Sequence, residues 1–254
     1  MPLSPSIKSL ALGNLNWKPF HQAMKSITIP QSQITTEETS LSTSFALLTS
    51  YLSPLISNLK ILGLNNIEDL QSLPNWLVSF SSLKYMTIKK CSKLKYLSPV
   101  IQHLVSLRSL EIEECNELDM SNADMCMWQS LKSLDYLALE NLPQLETLPD
   151  GLQHVTTLRN LNIRGCNSLI AIPEWISNLS SLTVLYILEC PNLTSLPEGI
   201  RSIYALEALH IFGCPILEQR CQREKGEDWP KIAHIPDLDV WFRGDSKSST
   251  ISGT

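Results

Sequence analysis

Long apolar runs are missing from this sequence. No stretch approaches the roughly 20 apolar residues of a membrane-spanning helix, and the mean hydropathy is +0.00. The beginning of the chain has no basic region followed by a continuous apolar stretch, so we predict no signal peptide. Basic charge is also scarce, because 20 Lys and Arg stand against 25 Asp and Glu and give a formal net charge of −5. This balance gives no electrostatic reason to expect nucleic acid as a partner.

Sequence signatures of catalysis and of nucleotide or metal binding are missing as well. No G-x-x-x-x-G-K-[ST] loop occurs, which excludes a nucleotide site of that type. No Ser, Cys or carboxylate constellation has the local context of a hydrolase. The Cys and His residues lack the paired spacing of zinc sites. We therefore predict a protein that is not an enzyme and that uses no cofactor or metal.

The sequence does contain a leucine motif, L-x-x-L-x-[I/L]-x-x-C, that recurs in register. Its seven copies start at Leu59, Leu83, Leu107, Leu134, Leu158, Leu182 and Leu206. The start-to-start spacing is 24 residues, except for one repeat of 27. Self-similarity at this period is typical of a leucine-rich-repeat solenoid. We therefore predict an α/β fold, a right-handed horseshoe with a parallel sheet of seven short strands on its concave face and short helical or loop segments on its convex face.

The remainder of each repeat is patterned too. Four repeats carry a Leu-Pro or Ile-Pro step after the strand, and the proline keeps the strand from propagating. An apolar pair at helical spacing, such as Leu152 and Val155, then closes the coil. The repeat of 27 residues has its three extra residues around positions 120–128, which we predict to be a surface loop.

Five of the seven cysteines fall on the last position of the motif. They are Cys91, Cys115, Cys166, Cys190 and Cys214, and we call them the cysteine ladder. This position turns inward just after the strand, where a small side chain fills the corner of the coil. Neighbouring coils lie roughly 4.8 Å apart, so stacked thiols would risk oxidation to strained bridges outside a reducing compartment. We therefore predict free core cysteines and a cytoplasmic or nuclear location. Cys126 and Cys221 lie off the ladder.

The two ends of the chain are less regular. Residues 1–57 are predicted to be an irregular region with a Ser/Thr-rich insertion. The spacing of Leu10 and Leu12 in this region is compatible with an earlier strand. Residues 58–214 are predicted to form the repeat array. Residues 215–243 are predicted to form a C-terminal cap, whose sequence is charged and helix-like up to Gly226. Residues 244–254 are predicted to be a disordered tail. No comparable cap precedes the array. We therefore expect the chain to be the distal part of something larger or a shortened gene product.

The cysteine ladder, the Leu-Pro step and the stretch CPILEQRCQREKGEDWPKIAHIP together carry a family resemblance. The chain resembles the C-terminal leucine-rich-repeat domain of plant intracellular disease-resistance receptors of the coiled-coil, nucleotide-binding type. Extracellular plant receptors differ, because their repeats follow the pattern N-x-L-x-G-x-I-P. The resemblance implies pathogen sensing or restraint of an attached nucleotide switch. It implies a pathogen effector, a monitored host protein or the receptor's nucleotide-binding domain as the partner.

The variable positions between the motif leucines are predicted to face the concave side. Charged side chains occupy the middle of this face, and an apolar cluster occupies the last two strands. We predict that ten residues form a protein-binding surface: Val184, Tyr186, Leu188, Phe212, Tyr136, Tyr85, Glu111, Glu113, Glu140 and Arg164. The alternative is that the chain's own tail, with Trp241 and Phe242, folds back over the apolar cluster.

The lysines near the start of the array could be taken for a phosphate-binding patch. In register, however, Lys89 lies beside Glu113 and Lys90 beside Glu114 on the next strand. We therefore predict cross-strand ion pairs that neutralise the lysines.

Two functions are compatible with these features. The first is a non-catalytic protein-recognition domain in plant defence. The second is a free-standing adaptor that scaffolds other proteins in signalling or ubiquitin ligation, although no F-box-like segment precedes the repeats. In both cases the partner is a protein, and neither a membrane span, nucleic acid nor a small-molecule substrate is expected.

Overall fold

Nine short parallel strands form one sheet in chain order in the computed structural model, which describes residues 8–14, 18, 58–97, 99–121 and 125–241. The strands are β1 (Ser9–Gly13), β2 (Ile61–Asn65), β3 (Tyr85–Lys89), β4 (Ser109–Glu113), β5 (Tyr136–Glu140), β6 (Asn160–Arg164), β7 (Val184–Leu188), β8 (Ala208–Phe212) and β9 (Asp237–Val240). Strands β2–β8 are the seven that the leucine motif predicts. The fold is a leucine-rich-repeat solenoid, which confirms the predicted fold class.

The motif leucines form the core because each strand has the same register as its neighbour. Leu185, for example, lies between Leu161 and Leu209 in the sheet, and all three are fully buried. Side chains alternate between the two faces of a strand, so the intervening positions point to the opposite, concave side. The predicted assignment of inward and outward positions is therefore confirmed.

The prediction of seven strands is wrong, because two further strands extend the sheet among the described residues. Strand β1 places Leu10 and Leu12 beside Leu62 and Leu64. This is the earlier strand with which the spacing of the two leucines is compatible. Strand β9 pairs with β8 outside the leucine motif. Its sequence Asp-Leu-Asp-Val has the two-residue alternation of a strand, but a single copy of four residues is too weak a signal beside seven repeats.

A left-handed residue follows each of the strands β1–β8. These residues have φ between 50° and 71° and are Asn14, Asn66, Lys90, Glu114, Asn141, Gly165, Glu189 and Gly213. The bend continues the sheet hydrogen bonds, as where the Lys90 N–H donates to the Glu113 carbonyl at 2.9 Å. It also turns the next side chain into the core. Glycine suits position 165, because φ is 63° and a Cβ there would displace the side chain of Asn141, whose Oδ1 would lie 2.0 Å away.

The cysteine ladder lies in the core, as predicted. All five side chains are fully buried and free of disulfide bonds. Their thiols donate to backbone carbonyls, as where Cys166 Sγ lies 3.5 Å from the carbonyl of Arg164. Burial raises the pKa of Cys115 to about 12 and that of Cys166 to about 11. Cys221, which lies off the ladder, is buried as well, and burial raises its pKa to about 12.

The convex side carries short helices. Five 3₁₀ helices lie among the described residues: Asn75–Ser79, Pro99–His103, Asp150–His154, Glu174–Asn178 and Glu198–Ser202. Four of them begin directly after the proline of a Leu-Pro or Ile-Pro step. The proline is the N-cap residue, and its fixed φ suits the extended backbone at this position. No helix in the described part of the chain is long and apolar enough to span a membrane.

The surface loop predicted around residues 120–128 is wrong in its second half. Residues Met125–Gln129 form an α-helix, α1, in which Met127 and Trp128 are 1% and 0% exposed. The three extra residues of this repeat make room for an α-helical turn where the other repeats have a 3₁₀ helix. Two large side chains then fill the coil.

Two further helices close the C-terminal end, α2 (Pro215–Arg220) and α3 (Trp229–Ile232). The helix-like stretch predicted up to Gly226 ends earlier, at Arg220. Glu218 is buried within α2 and accepts a hydrogen bond from the Cys214 N–H at 2.9 Å. The predicted Ser/Thr-rich insertion and the tail at 244–254 lie outside the described residues.

A buried carboxylate joins this end to the last coil. Asp228 is fully buried, accepts from Arg220 at 3.1 Å and from Lys231 at 2.9 Å, and accepts the Leu196 N–H at 2.9 Å. Burial alone would raise the pKa of Asp228, but these donors outweigh it and hold the pKa below its usual value. Lys231 also donates to the Leu196 carbonyl at 2.7 Å, so the ion pair is tied to the solenoid.

Candidate functional site

The concave face of the sheet consists of three rows of side chains that run across the strands. The first row is Ile61, Tyr85, Ser109, Tyr136, Asn160, Val184 and Ala208. The middle row is Gly63, Thr87, Glu111, Ala138, Asn162, Tyr186 and His210. The third row is Asn65, Lys89, Glu113, Glu140, Arg164, Leu188 and Phe212. All ten residues of the predicted surface lie in these rows, and whether they bind a protein stays a prediction.

The predicted ion pairs at the start of the face are present. Lys89 Nζ lies 3.1 Å from Glu113 and 3.3 Å from Glu111, and Lys90 lies 4.0 Å from Glu114. The hydrogen bond to Glu113 is the main cause that raises the pKa of Lys89. These side chains are between 25% and 56% exposed, so each pair contributes about 1 kcal/mol or less to stability.

Glu140 forms no ion pair within the part of the chain that the structure describes. Asn162 donates to it at 2.9 Å, but the neighbouring Arg164 turns to Glu189, at 3.2 Å. Burial raises the pKa of Glu140, and the negative charge of Glu113 on the next strand raises it further. We call Glu111, Glu113 and Glu140 the acidic centre. Among the described residues Lys89 pairs with Glu111 and Glu113 only, so three carboxylates stand beside one paired ammonium.

Aromatic and apolar side chains flank the acidic centre on both sides. At the N-terminal side, Ile61 and Tyr85 are neighbours in the first row and are each 45% exposed. Tyr136 lies further along this row and is half-buried, and its burial raises the pKa of its hydroxyl. Ala138 lies in the middle row between Glu111 and Asn162 and is buried by its neighbours.

The apolar cluster predicted at the C-terminal side is present and larger than expected. Leu188, Phe212 and Trp241 follow one another in the third row, because Trp241 continues the chain directly after β9. Tyr186 stacks on His210 in the middle row with a centroid distance of 4.8 Å. We call Tyr186, Leu188, Phe212 and Trp241 the aromatic patch. Val184, the remaining predicted member, is half-buried at the edge of the patch.

Within the aromatic patch, Trp241 lies beside Phe212 and does not cover it. Its ring meets the ring of Phe212 edge to face, with the centroids 6.4 Å apart. Its backbone N–H donates a hydrogen bond to the Ile211 carbonyl at 3.0 Å. Phe212 stays 46% exposed and Trp241 itself is 51% exposed. The other residue named in the tail alternative, Phe242, lies outside the described residues. The leucine motif does not reach Trp241, and only the alternation in β9 could have placed it on this face.

Metal-binding side chains do not converge on this face. In the ranges that the structure describes, no group of three or more His, Cys, Asp or Glu residues could hold a metal ion. His210 lies 3.7 Å from Asp237 on β9, and this pair is at the end of the sheet. The side chains that this face presents to a binding partner are charged and apolar ones on an open surface.

Sequence comparison identifies the family of these repeats. Residues 78–215 match the leucine-rich repeats described as plant disease resistance protein RPS2-like. The chain belongs to this family. Its leucine-rich-repeat fold is generally a non-catalytic scaffold for protein interactions. No curated protein matches the chain.

Solved structures support the fold. The leucine-rich-repeat domain of the type III effector XCV3220 (XopL) is similar with a TM-score of 0.54 and 22% identity over 80% of this chain and 68% of that domain. The Leptospira interrogans protein LIC12759 is similar with a TM-score of 0.56 and 21% identity over 92% of this chain. The chain spans 54% of the length of that second protein. At this identity the likeness shows the architecture alone.

Proposed function

We propose that this chain is the recognition domain of an intracellular receptor in plant defence and that it contacts another protein through the concave face. The aromatic patch is the observation that carries the proposal, because Phe212 and Trp241 remain about half exposed on a regular sheet surface. Aromatic side chains are enriched at the centres of protein interfaces, where they supply much of the binding energy. A cluster of this kind is uncommon on a surface that contacts only water.

The size and openness of the face favour a protein partner. Nine strands spaced by roughly 4.8 Å give a surface on the order of 40 Å long. An interface with a protein requires a surface of this scale, whereas small molecules are bound in concave, enclosed pockets. The matched family supports a role in plant disease resistance. A pathogen effector, a monitored host protein and the nucleotide-binding module of a receptor are the partners that this role suggests.

The cysteine ladder supports a reducing location for this function. Five buried thiols occupy the same position in five coils, with Leu142 in the coil between Cys115 and Cys166, and form no disulfide bonds. Structural thiols of this kind are favoured where glutathione and thioredoxin keep cysteine reduced. We therefore place the receptor domain in the cytoplasm or nucleus as part of the proposal.

The test is a binding assay with two matched double variants. The purified chain is presented to a panel of pathogen effectors and to the nucleotide-binding module of a receptor of this family. Tyr186→Ala with Phe212→Ala removes two rings of the aromatic patch, and we expect it to abolish capture. The control is Tyr204→Ala with Ile170→Ala, which removes two side chains that are 91% and 52% exposed outside the sheet. Undiminished capture by a folded patch variant would locate the working surface elsewhere.

A further inference from the structure

The third row of the concave face changes from acidic to apolar along one line. Glu113, Glu140 and Arg164 occupy it on β4–β6, and Leu188, Phe212 and Trp241 follow on the C-terminal side. Since the register is unbroken from β4 to β8, these side chains keep a fixed order and spacing. A partner that lies along this row therefore meets negative charge at one end and aromatic rings at the other.

The negative charge at this end is not neutralised within the described chain. Lys89 is shared between Glu111 and Glu113, and Arg164 pairs with Glu189 at 3.2 Å. Glu140 forms no ion pair in the described residues, and its one described side-chain donor is the neutral amide of Asn162. Burial and the adjacent carboxylates disfavour its charged form more than the more distant charges of Arg164 and Lys89 favour it, so its pKa is raised. A cation of a partner in direct contact with Glu140 would offset the repulsion of the carboxylates.

We propose that the concave face binds a protein segment that carries an Arg or Lys side chain for Glu140 and an apolar side chain for Leu188 and Phe212. This inference rests on the proposed function and adds the chemistry of the partner to it. A guanidinium suits the acidic side especially well, because its fork of N–H donors matches a carboxylate and stays charged at all physiological pH values. An acidic segment would instead meet three carboxylates.

The sheet fixes the spacing of the two side chains in the partner. Glu140 on β5 and Leu188 on β7 are two strands apart, and Phe212 on β8 is three strands from Glu140. At ~4.8 Å per strand these separations are about 10 Å and about 14 Å. An extended segment that runs along the row rises roughly 3.3 Å per residue. The basic residue and the apolar residue should therefore be about three to four positions apart.

The experiment is a selection from a phage-displayed library of random dodecapeptides on the immobilised chain. We expect the enriched peptides to carry Arg or Lys three or four positions from Trp, Phe or Leu. Their affinity should fall about tenfold or more on Glu140→Lys, since like charges brought together across an interface are strongly unfavourable. Glu146→Lys, a charge reversal at an exposed position of the same repeat outside the strand, should leave binding unchanged.

Two further measurements distinguish loss of the contact between Glu140 and the peptide's cation from a folding defect of the variant. Glu140→Gln, which keeps shape and size, should weaken binding several-fold and reduce its dependence on salt. Exchange of the peptide's Arg for Glu should abolish binding to the native chain and restore it to the Glu140→Lys chain. Restored binding requires a folded variant, so it supports the direct contact.

The outcomes separate this inference from the proposed function. Peptides that lose binding on Phe212→Ala but bind Glu140→Lys unchanged would overturn the cationic partner and leave the recognition surface in place. Peptides that are indifferent to both substitutions, or a selection that enriches none, would contradict both. Enriched peptides rich in Asp and Glu would overturn the inference directly.

Discussion

The rings of Phe212 and Trp241 meet edge to face, with their centroids 6.4 Å apart and their planes at 86°. The two residues come from different kinds of sequence, since Phe212 belongs to the last repeat and Trp241 follows the added strand β9. Both remain about half exposed on the concave face. The last repeat and the end of the described chain thus build one surface together.

The contact between these rings should be measurable as a coupling energy. Edge-to-face aromatic pairs contribute about 0.5–1.5 kcal/mol beyond their buried area, and the lower end applies to this half-exposed pair. We expect Phe212→Ala and Trp241→Ala together to lower the free energy of unfolding less than the sum of the two single changes. A double-mutant cycle by urea unfolding measures this difference. Strict additivity would mean that the rings do not interact in solution.

The register of the sheet predicts opposite results for two adjacent residues. Leu185 is fully buried, so Leu185→Asp places an unpaired carboxylate in the core and should cost about 3 kcal/mol or more. Val184 faces the concave side and is half-buried, so Val184→Asp should cost less than about 1 kcal/mol. Thermal melts compare the two variants. Equal losses would show that the assignment of inward and outward faces is wrong.

The left-handed residue after each strand predicts where the introduction of glycine stabilises the fold and where the replacement of glycine destabilises it. Glu114 has φ of 52°, a conformation that costs an L-residue roughly 1–2 kcal/mol. Glu114→Gly should relieve part of this strain and raise the free energy of unfolding by up to about 1 kcal/mol. Glu114→Ala loses the same side chain but keeps the strain, so it is the matched control and should bring no gain.

Gly165 provides the converse test of the same bend. Gly165→Ala should be destabilising, because φ is 63° and the new Cβ would lie 2.0 Å from Asn141 Oδ1. Urea unfolding measures all three variants. A neutral Gly165→Ala, or an equal gain from Gly and Ala at position 114, would contradict the left-handed bend.

The buried Asp228 predicts a stability that depends on pH. Its pKa is lower in the folded chain than in the unfolded chain, so its contribution is present above the unfolded pKa of about 3.9 and is lost as the pH falls through the folded pKa. Asp228→Asn should cost about 3 kcal/mol at neutral pH, because Arg220 and Lys231 lose their shared carboxylate. The difference from the native chain should shrink below about pH 4.

Urea unfolding at neutral pH and at two acid values measures this difference. Glu117→Gln, at an exposed position, serves as the control and should show no comparable dependence on pH. A constant gap between the native chain and Asp228→Asn at all pH values would indicate that Asp228 does not contribute through its charge.

The sequence was sufficient for the repeated part of the fold because every repeat restates the same signal. The buried positions, the cysteine ladder and the pairing of Lys89 with Glu113 all follow from one leucine register. Features that occur once were missed. Trp128 fills the core from a helix that no other repeat has, and its stretch was taken for a surface loop.

The candidate site was predictable in position but not in its electrostatics. The outward positions of Tyr186 and Phe212 follow from the repeat, whereas Trp241 reaches the patch through a strand with no copy elsewhere. The repeat register placed Arg164 in the charged middle of the face. Its pairing with Glu189, which leaves Glu140 with no ion pair among the described residues, depends on the bend after β7, where Glu189 has a positive φ.

The most direct test of the proposed recognition surface is the dissociation constant of a captured partner, measured by calorimetry for three chains. These are the native chain, Phe212→Ala and the control Tyr204→Ala. Truncation of an aromatic residue at the centre of an interface typically costs about 2 kcal/mol or more, which corresponds to a roughly 30-fold weaker affinity. We expect this loss for Phe212→Ala and an unchanged affinity for Tyr204→Ala. Equal affinities for all three folded chains would contradict binding through the concave face.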